Sequence, residues 1–404
     1  MPIGIQNSNN HYTFYIYFWK GVVIHMIKIG IVGARGLSTI MGFNALPDVS
    51  VEAICDLDAD LLGKMAAIYN IPKTYRVYED MLDSDIDAVV IATPMQCHVP
   101  QALSALEAGK HVMSEVTAGV TMDELWWLIE SVEKYKKTYM FAENYCYMPQ
   151  NQQIRNMVNK GVFGDVYYCE GEYLHELSSL ATYNYGEHRN GKTSWRTFWQ
   201  LGKRGAFYPT HSIGPVMQWY QGERILGVSS FGTGSHANPK FRQEDTSVTI
   251  CRLTNNKIAQ IRIDCLSPRP HNMAYYQLQG TKGVYEAPRG FGDAHKIWLT
   301  GMDEDTDHAK WRGLTEFNDY LPDRYKNATA DQRNSGHGGG DFFIVEDFIN
   351  AIRTNTKPDI DVYNGCEWTA VALLSELSVM NGGREMEMPD FRKNMPRNEQ
   401  IIKL

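Results

Sequence analysis

The sequence predicts an α/β domain with a doubly wound parallel sheet, followed by an α+β domain with a large, open, mostly antiparallel sheet. Three observations lead to this prediction. Short apolar runs alternate with helical patterns from residue 27 onwards, and longer strand-like runs replace them near Tyr147. In addition, 404 residues are too many for one ordinary hydrophobic core.

In the first half, strands are predicted to alternate with helices. The apolar runs are short and rich in β-branched residues, as in strands that are buried on both faces. This alternation is typical of a parallel sheet with helices on both sides. The predicted strands are 27–32, 51–55, 88–91, 111–113 and 139–141, and the predicted helices are 57–69, 99–108 and 122–135.

In the second half, the predicted strands are longer and follow one another directly. Asn255-Asn256 is a polar turn between two of them, which predicts a β-hairpin. Residues 288–340 are rich in Gly, Asp and Asn and are predicted to be mostly loop. The predicted strands are 166–176, 225–231, 247–253, 258–264 and 274–278, and the predicted helices are 150–160, 341–353 and 363–380.

We interpret residues 1–25 as an extension outside the fold, with a role in packing or oligomerisation as the alternative. The segment 12–25 is apolar and aromatic, but Lys20 interrupts it. It has neither the basic region nor the small-residue cleavage site of a signal peptide, and it is too short to span a bilayer. The two domains are accordingly predicted at 26–147 and 148–404.

The composition indicates a globular protein that does not act on nucleic acid or membranes. Apolar residues make up 43% and charged residues 21%. The net charge of −8 argues against nucleic acid and anionic membranes as partners. The seven cysteines include no Cys-x-x-Cys pair, so neither a zinc site nor a disulfide framework is expected. We therefore expect a cytoplasmic location and no metal site.

A candidate dinucleotide site follows the first strand, at Gly33-Ala34-Arg35-Gly36-Leu37-Ser38. Only Gly33 matches the three glycines of the common fingerprint, but Asp56 ends the next strand 23 residues later. A carboxylate there accepts hydrogen bonds from ribose hydroxyls and repels a 2′-phosphate, so NAD is expected rather than NADP. The alternative is that Asp56 only caps the following helix. The candidate cofactor residues here are Gly33, Arg35, Gly36, Leu37 and Asp56.

Further candidates lie where the third and fourth strands end. Ligands of such sheets bind at the carboxyl ends of strands. Thr93, Pro94 and His98 follow the third strand, and Glu115 follows the fourth. We predict that these four residues also face the cofactor.

The runs Ala92-Thr93-Pro94 and Gly109-Lys110-His111-Val112 resemble the Gfo/Idh/MocA oxidoreductase superfamily, and the resemblance extends from Met26 to about Met388. It implies an NAD(P)-binding Rossmann domain joined to an open-sheet substrate domain. The dehydrogenases of that superfamily carry a lysine where this sequence has Val116, and an aspartate where it has Phe207. Neither side chain can take up the proton of a reacting hydroxyl.

A narrower resemblance, to glycoside hydrolase family 109, explains these departures. It is carried by motifs such as Glu143-Asn144-Tyr145-Cys146-Tyr147, Tyr208-Pro209-Thr210-His211 and Gly336-His337-Gly338-Gly339-Gly340-Asp341-Phe342. The family comprises NAD-dependent retaining glycosidases, with α-N-acetylgalactosaminidase as the named activity. The implied mechanism oxidises the sugar at C3, removes the C2 proton, eliminates the aglycone, adds water and reduces C3 again.

The resemblance also implies roles for individual residues. Tyr208 and His211 would lie at the reacting sugar, with Tyr173 as a second phenol. Glu143 would hold the cofactor or the substrate, and Asn144 is assigned to the cofactor. The alternatives are a buried structural histidine beside a Gly-Pro turn for His211, and ordinary strand packing for Tyr173.

Three more residues are candidates for substrate contact, each with an open alternative. His175 alternates with Tyr173 on one strand face and is expected to share its cleft. His337 lies among glycines, which form either a substrate or anion loop or a solvent loop. Trp195 stacks on a sugar ring or packs in the core.

Two other functions remain open at this point. One is an NAD-dependent sugar or cyclitol dehydrogenase, which Val116 and Phe207 disfavour. The other is a non-catalytic sensor of NAD and sugar. In every case the expected ligand is a small carbohydrate, and the open sheet favours a homo-oligomer, either a dimer or a tetramer.

Overall fold

The computed structural model describes residues 26–181 and 194–392, together with the backbone of three short strands before residue 26. These strands, β1 (Ile3–Gly4), β2 (Tyr15–Trp19) and β3 (Val22–Ile24), form a small antiparallel sheet of their own. The expected extension at residues 1–25 therefore contains strands, and its remaining residues lie outside the described part. Two larger sheets form the rest of the fold.

The first large sheet has six strands, all parallel, in the order β6-β5-β4-β7-β8-β9. The sequence order therefore reverses between β4 and β7, as expected for a doubly wound sheet. The strands are β4 (Ile27–Val32), β5 (Val49–Cys55), β6 (Lys73–Tyr75), β7 (Ala88–Ile91), β8 (His111–Ser114) and β9 (Tyr139–Phe141), and the helices are α1 (Ile40–Asn44), α2 (Ala59–Tyr69), α3 (Tyr78–Leu82), α4 (His98–Glu107) and α5 (Met122–Tyr135).

The predicted elements of this domain are confirmed, with several boundaries shifted by one or two residues and three short elements omitted. Helix α2 begins at Ala59 rather than at residue 57, because the Asp58 side chain accepts from the backbone N–H of Asp60 and Leu61 and caps the helix there. The short elements α1, β6 and α3 were not predicted, since segments of three to five residues carry too little periodicity.

The second large sheet has nine strands in the order β17-β16-β15-β14-β10-β13-β12-β11-β18. Neighbouring strands are antiparallel, except that β10 and β13 are parallel. The strands are β10 (Val166–Leu174), β11 (Ile225–Gly232), β12 (Thr246–Leu253), β13 (Ile258–Asp264), β14 (Asn272–Gly280), β15 (Gly283–Glu286), β16 (Lys296–Leu299), β17 (Arg312–Gly313) and β18 (Met386–Glu387). The mostly antiparallel sheet is as predicted.

The helices of this second domain are α6 (Pro149–Asn159), α7 (Ser178–Ala181), α8 (Arg196–Trp199), α9 (Thr210–Trp219), α10 (Asp323–Lys326), α11 (Ala330–Arg333), α12 (Gly340–Thr354) and α13 (Val362–Met380). The predicted turn at Asn255 and Asn256 joins β12 to β13, and both residues have the positive φ of a tight hairpin turn. Within the described ranges, no helix is both long and apolar enough to cross a membrane.

Helix α9 packs directly on strand β10, at Gly171. A Cβ atom on Gly171 would overlap the backbone carbonyl of Ser212 in α9. Only a glycine lets the helix approach the sheet this closely. This approach brings the N-terminal turn of α9, which carries His211, over the sheet.

We expect Gly171→Ala to lower the free energy of unfolding by about 2 kcal/mol, because the added methyl group forces α9 away from the sheet. Urea denaturation measures the change. Gly290→Ala is the matched control, since no atom lies within 4 Å of its hypothetical Cβ. Equal stability of the two variants would show that the contact at Gly171 is not tight.

Candidate active site

The turn after β4 approaches β7 so closely that it requires glycine. Gly33 has a φ of +90°, and a Cβ there would lie 2.6 Å from the Ala92 carbonyl oxygen. A Cβ on Gly36 would lie 2.8 Å from the Ile31 side chain. Two of the predicted glycines therefore shape a turn at the carboxyl end of the parallel sheet, where a dinucleotide binds in this class of fold. The side chains of Arg35 and Leu37 lie outside the described part.

Asp56 contacts this turn from the neighbouring strand. Its carboxylate accepts from the Ala34 N–H at 2.9 Å and from the Asp58 N–H at 3.0 Å. The cap of α2 is Asp58, so the alternative that Asp56 caps the helix is wrong. The carboxylate lies beside the glycine turn, as the interpretation as a ribose ligand requires.

His98 is engaged by the protein itself. Only 1% of it is exposed, and its Nδ1 and Nε2 lie 2.7 Å and 2.8 Å from the carbonyl oxygens of Thr117 and Thr93. This corrects the expectation of a cofactor contact through the ring, because neither ring nitrogen is available to a ligand. His98 instead ties the loop after β7 to the loop after β8.

The other candidate cofactor residues after β7 and β8 make contacts within the parallel-sheet domain. The Thr93 hydroxyl hydrogen-bonds the Gln101 side chain at 2.6 Å, and Pro94 precedes the 3₁₀ helix Met95–Cys97. The backbone N–H of Glu115 donates to Ile91 at 2.9 Å, which extends the pairing of β8 with β7 by one residue. Val116 is buried, and the Val116–Thr117 peptide bond is cis.

A pair formed by His211 and Glu143 lies at the centre of the candidate site. His211 Nδ1 is 2.7 Å from Glu143 Oε1, which also accepts from the Tyr145 N–H at 3.2 Å. The Glu143 side chain is fully buried, and its Oε2 has no hydrogen-bond partner among the described residues. Because an ionised carboxylate only accepts hydrogen bonds, His211 Nδ1 carries a hydrogen and Nε2 remains for proton exchange with a ligand.

Helix α9 presents His211 through a local sequence that normally ends helices. Gly214 and Pro215 lie inside the helix, which corrects the expected Gly-Pro turn beside His211. A Cβ on Gly214 would lie 2.9 Å from Glu143 Cγ, so the helix can approach this carboxylate. Pro215 has no N–H for the His211 carbonyl four residues earlier, and the Tyr276 hydroxyl donates to that carbonyl at 2.5 Å instead.

Aromatic rings pack around the imidazole of His211. The Tyr145 ring stacks on the imidazole at 4.1 Å, and the rings of Tyr173 and Tyr208 lie 5.2 Å and 5.0 Å away. Burial raises the pKa of Tyr173 far above its usual range. The three rings and the imidazole form one cluster, which brings Tyr173 next to His211.

The Tyr173 hydroxyl is paired with His175. It lies 2.7 Å from His175 Nδ1, and the His271 ring contacts His175 edge-on at 4.6 Å. Burial, together with His271, Arg196 and His211, lowers the pKa of His175 to about 4. His175 is therefore neutral at neutral pH, and its Nδ1 shares a hydrogen bond with the Tyr173 hydroxyl.

The remaining substrate candidates differ in position. The His337 ring lies 6.2 Å from the Tyr145 ring, next to the cluster. The Trp195 ring carries the Arg196 guanidinium at 4.5 Å, just before α8, and the preceding residues 182–193 lie outside the described part. Tyr145, Tyr276 and Asp341 were not among the predicted site residues. Tyr145 and Asp341 lie inside motifs that carried the resemblance, whereas no sequence signal marks Tyr276.

Comparison with known proteins shows, first, the class of protein to which the N-terminal domain belongs. Residues 27–143 match a family described as "Oxidoreductase family, NAD-binding Rossmann fold", which confirms the predicted NAD-binding domain. The fold resembles a levoglucosan dehydrogenase solved with NADH (TM-score 0.74, 18% identity, 90% of this chain and 99% of that chain). It also resembles an oxidoreductase domain protein from Kribbella flavida (TM-score 0.77, 19% identity, 91% and 100%).

The match of the second domain shows the family to which the chain belongs. Residues 147–397 match the model "Glycosyl hydrolase 109, C-terminal domain". A glycosyl hydrolase family 109 protein of Saccharopolyspora erythraea is 31% identical over 91% of this chain and 83% of its own length. An alpha-N-acetylgalactosaminidase of Shewanella oneidensis is 30% identical over 92% and 86%. The chain belongs to glycosyl hydrolase family 109, within the NAD-binding oxidoreductases.

We expect Asp56→Ala to weaken NAD binding by about tenfold or more, because a charged acceptor for the ribose hydroxyls is lost. Isothermal titration with NAD⁺ measures the affinity. Asp60→Ala, on the exposed side of α2, is the control and should bind NAD like the parent protein. An unchanged affinity of Asp56→Ala would contradict the assigned role of this carboxylate.

Proposed function

We propose that this protein is an NAD-dependent glycoside hydrolase that oxidises the sugar transiently at C3. The observation that carries the proposal is the His211–Glu143 pair, whose Nε2 is hydrogen-bonded by no described residue and lies beside the rings of Tyr173 and Tyr208. Phe207, at the position where related dehydrogenases carry an acid, is buried and cannot exchange protons. Proton transfer in this site therefore falls to a histidine and to phenols.

The proposed steps assign each proton to a residue of the chain. Bound NAD⁺ supplies reversible acceptance of a hydride from the sugar C3. His211 Nε2 takes the C3 hydroxyl proton, since Glu143 holds Nδ1 and fixes the ring. The C3 carbonyl acidifies the C2 hydrogen, and its removal lets the aglycone leave by elimination. Water then adds to C1, the proton returns to C2 and C3 is reduced, so the net reaction is hydrolysis.

The phenols serve the middle steps in this proposal. Tyr173 lies between His211 and His175, and Tyr208 lies edge-on to His211. A neutral phenol acts as a base only if its own hydroxyl proton leaves in the same step, and His175 Nδ1, 2.7 Å from the Tyr173 hydroxyl, can receive that proton as the C2 proton arrives. Tyr173 is therefore our candidate for the base at C2, and Tyr208 for the group that positions the sugar.

A second candidate function is a sugar dehydrogenase that releases NADH. The similarity in fold to levoglucosan dehydrogenase favours it. Both Val116 and Phe207 weigh against it, since they replace the lysine and aspartate that handle the hydroxyl proton in such enzymes.

A panel of aryl α- and β-glycosides with added NAD⁺ separates the two functions in one cuvette. It includes p-nitrophenyl α-N-acetylgalactosaminide, and free sugars and cyclitols are assayed in parallel. Release of the aryl group without accumulation of NADH supports the hydrolase. Accumulation of NADH with free sugars or cyclitols would replace it by a dehydrogenase, and silence in both assays with NAD bound would favour a sensor.

We expect His211→Ala to lower kcat by about a hundredfold or more while NAD remains bound, because the group that exchanges the hydroxyl proton is lost. Aryl release and NAD titration are measured on the same preparation. His308→Ala changes an exposed histidine outside this site and is the control. Full activity of His211→Ala would remove His211 from the mechanism.

A further inference from the structure

The loop before α12 has a backbone that depends on glycine. Gly336, Gly338 and Gly339 have φ values of 94°, 68° and 92°, and His337 between them has a φ of 41°. A histidine in this left-handed region is uncommon and needs compensation by the surrounding structure. The compensation comes from Asp341, in the first turn of α12.

Asp341 holds two residues of the site at once. Its carboxylate is only 3% exposed, and its two oxygens lie 2.9 Å and 3.0 Å from His337 Nδ1. The Asn144 amide donates to the same carboxylate at 3.2 Å. Gly336 leaves room for it, since a Cβ there would lie 2.6 Å from Asp341 Oδ2. The carboxylate thus connects the loop before α12 to the segment that follows β9.

The carboxylate determines which nitrogen of His337 can act on a ligand. A carboxylate only accepts hydrogen bonds, so Nδ1 of His337 always carries a hydrogen. Nε2, which no described residue hydrogen-bonds, therefore donates only when the ring is a cation. Asp341 raises the pKa of His337, and the charges of Glu115 and Glu143 add to this effect, while burial opposes it. The imidazolium is thus favoured to a higher pH than in a free histidine.

The Asn144 amide is oriented by the same contact. Its Nδ2 faces Asp341, so its Oδ1 is the acceptor, and this oxygen is buried with no partner among the described residues. A buried acceptor without a donor is costly unless a water or a ligand satisfies it. One carboxylate thus fixes both a donor, at His337, and an unsatisfied acceptor, at Asn144.

We propose that Asp341 is a positioning residue that holds His337 as a hydrogen-bond donor to the substrate, while the same carboxylate turns the Asn144 oxygen towards the cofactor to which this residue is assigned. A sugar hydroxyl can accept a hydrogen bond from the His337 imidazolium. The identity of this group as a sugar hydroxyl rests on the proposed function. The geometry at Asp341 does not, and the two can therefore fail separately.

The first test is a titration of His337 that needs no activity. Histidine labelled with ¹³C at Cε1 gives NMR signals for the twelve imidazoles, and His337→Gln identifies the signal of His337. We expect the pKa of His337 in the parent protein to lie above the ordinary value of about 6.5. Asp341→Asn should lower it by about one unit or more. A parent value at or below 6.5 would overturn the proposal even if the variant does not fold.

The second test is the pH profile of aryl release from p-nitrophenyl α-N-acetylgalactosaminide. The imidazolium exists below the pKa of His337, so activity that depends on it falls as the pH rises through that value. Asp341→Asn should move this fall to lower pH by about one unit and reduce kcat/KM at pH 7 by about tenfold. Asp347→Asn, on the same helix but paired with Arg324, is the control and should leave the profile unchanged.

The outcomes separate positioning from simple stability. A lower melting temperature of Asp341→Asn with an unchanged pH profile and an unchanged His337 pKa would make Asp341 a structural residue and overturn the proposal. A shifted pKa and a shifted profile together would support it. If the parent protein hydrolyses no glycoside, the proposed function fails, while the NMR titration still decides whether Asp341 controls His337.

Discussion

The contact between Glu143 and His211 is the interaction on which the rest of the site depends. Glu143 is fully buried, and a buried carboxylate costs several kcal/mol unless hydrogen bonds compensate it. Its partners come from two sources, the Tyr145 N–H of its own segment and the His211 imidazole on α9 of the second domain. Glu143 Oε1 therefore gains its side-chain partner only when α9 is docked against the end of the parallel sheet. The same docking brings the phenols around His211.

The local chemistry of α9 follows from this docking. A helix with a glycine and a proline in its middle is weak by propensity, at about 1 and 3 kcal/mol below alanine. Here Gly214 gives the helix its close approach to Glu143, and Tyr276 takes over the hydrogen bond that Pro215 cannot make. Gly214 and Pro215 therefore lower the intrinsic stability of α9. Contacts with Glu143 and Tyr276 compensate for this loss and hold His211 in position.

The sequence predicts those parts of the fold whose causes are local. Strand β7 occupies the predicted range. A short run of apolar, partly β-branched residues is buried on both faces when it forms a central strand of a parallel sheet. The hairpin at Asn255 is equally local. Helix α9 was not predicted, because Gly214-Pro215 by itself indicates a turn. The contacts with Glu143 and Tyr276 that stabilise a helix here are formed only in the folded protein. In the same way, Asp341 meets Asn144 across 197 residues of sequence, a separation that no local pattern reports.

Two histidines of the site are held in the same way, each by a carboxylate at Nδ1. Their surroundings differ. The His211 side chain is 9% exposed and lies against three aromatic rings, whereas the His337 side chain is 44% exposed on its glycine loop. The His211 ring is enclosed by other rings whereas the His337 side chain reaches solvent, so the two imidazoles suit different tasks. A nitrogen that exchanges protons fits the sheltered position of His211. A lasting cationic donor fits the position of His337, close enough to Glu115 and Glu143 for their charges to stabilise it.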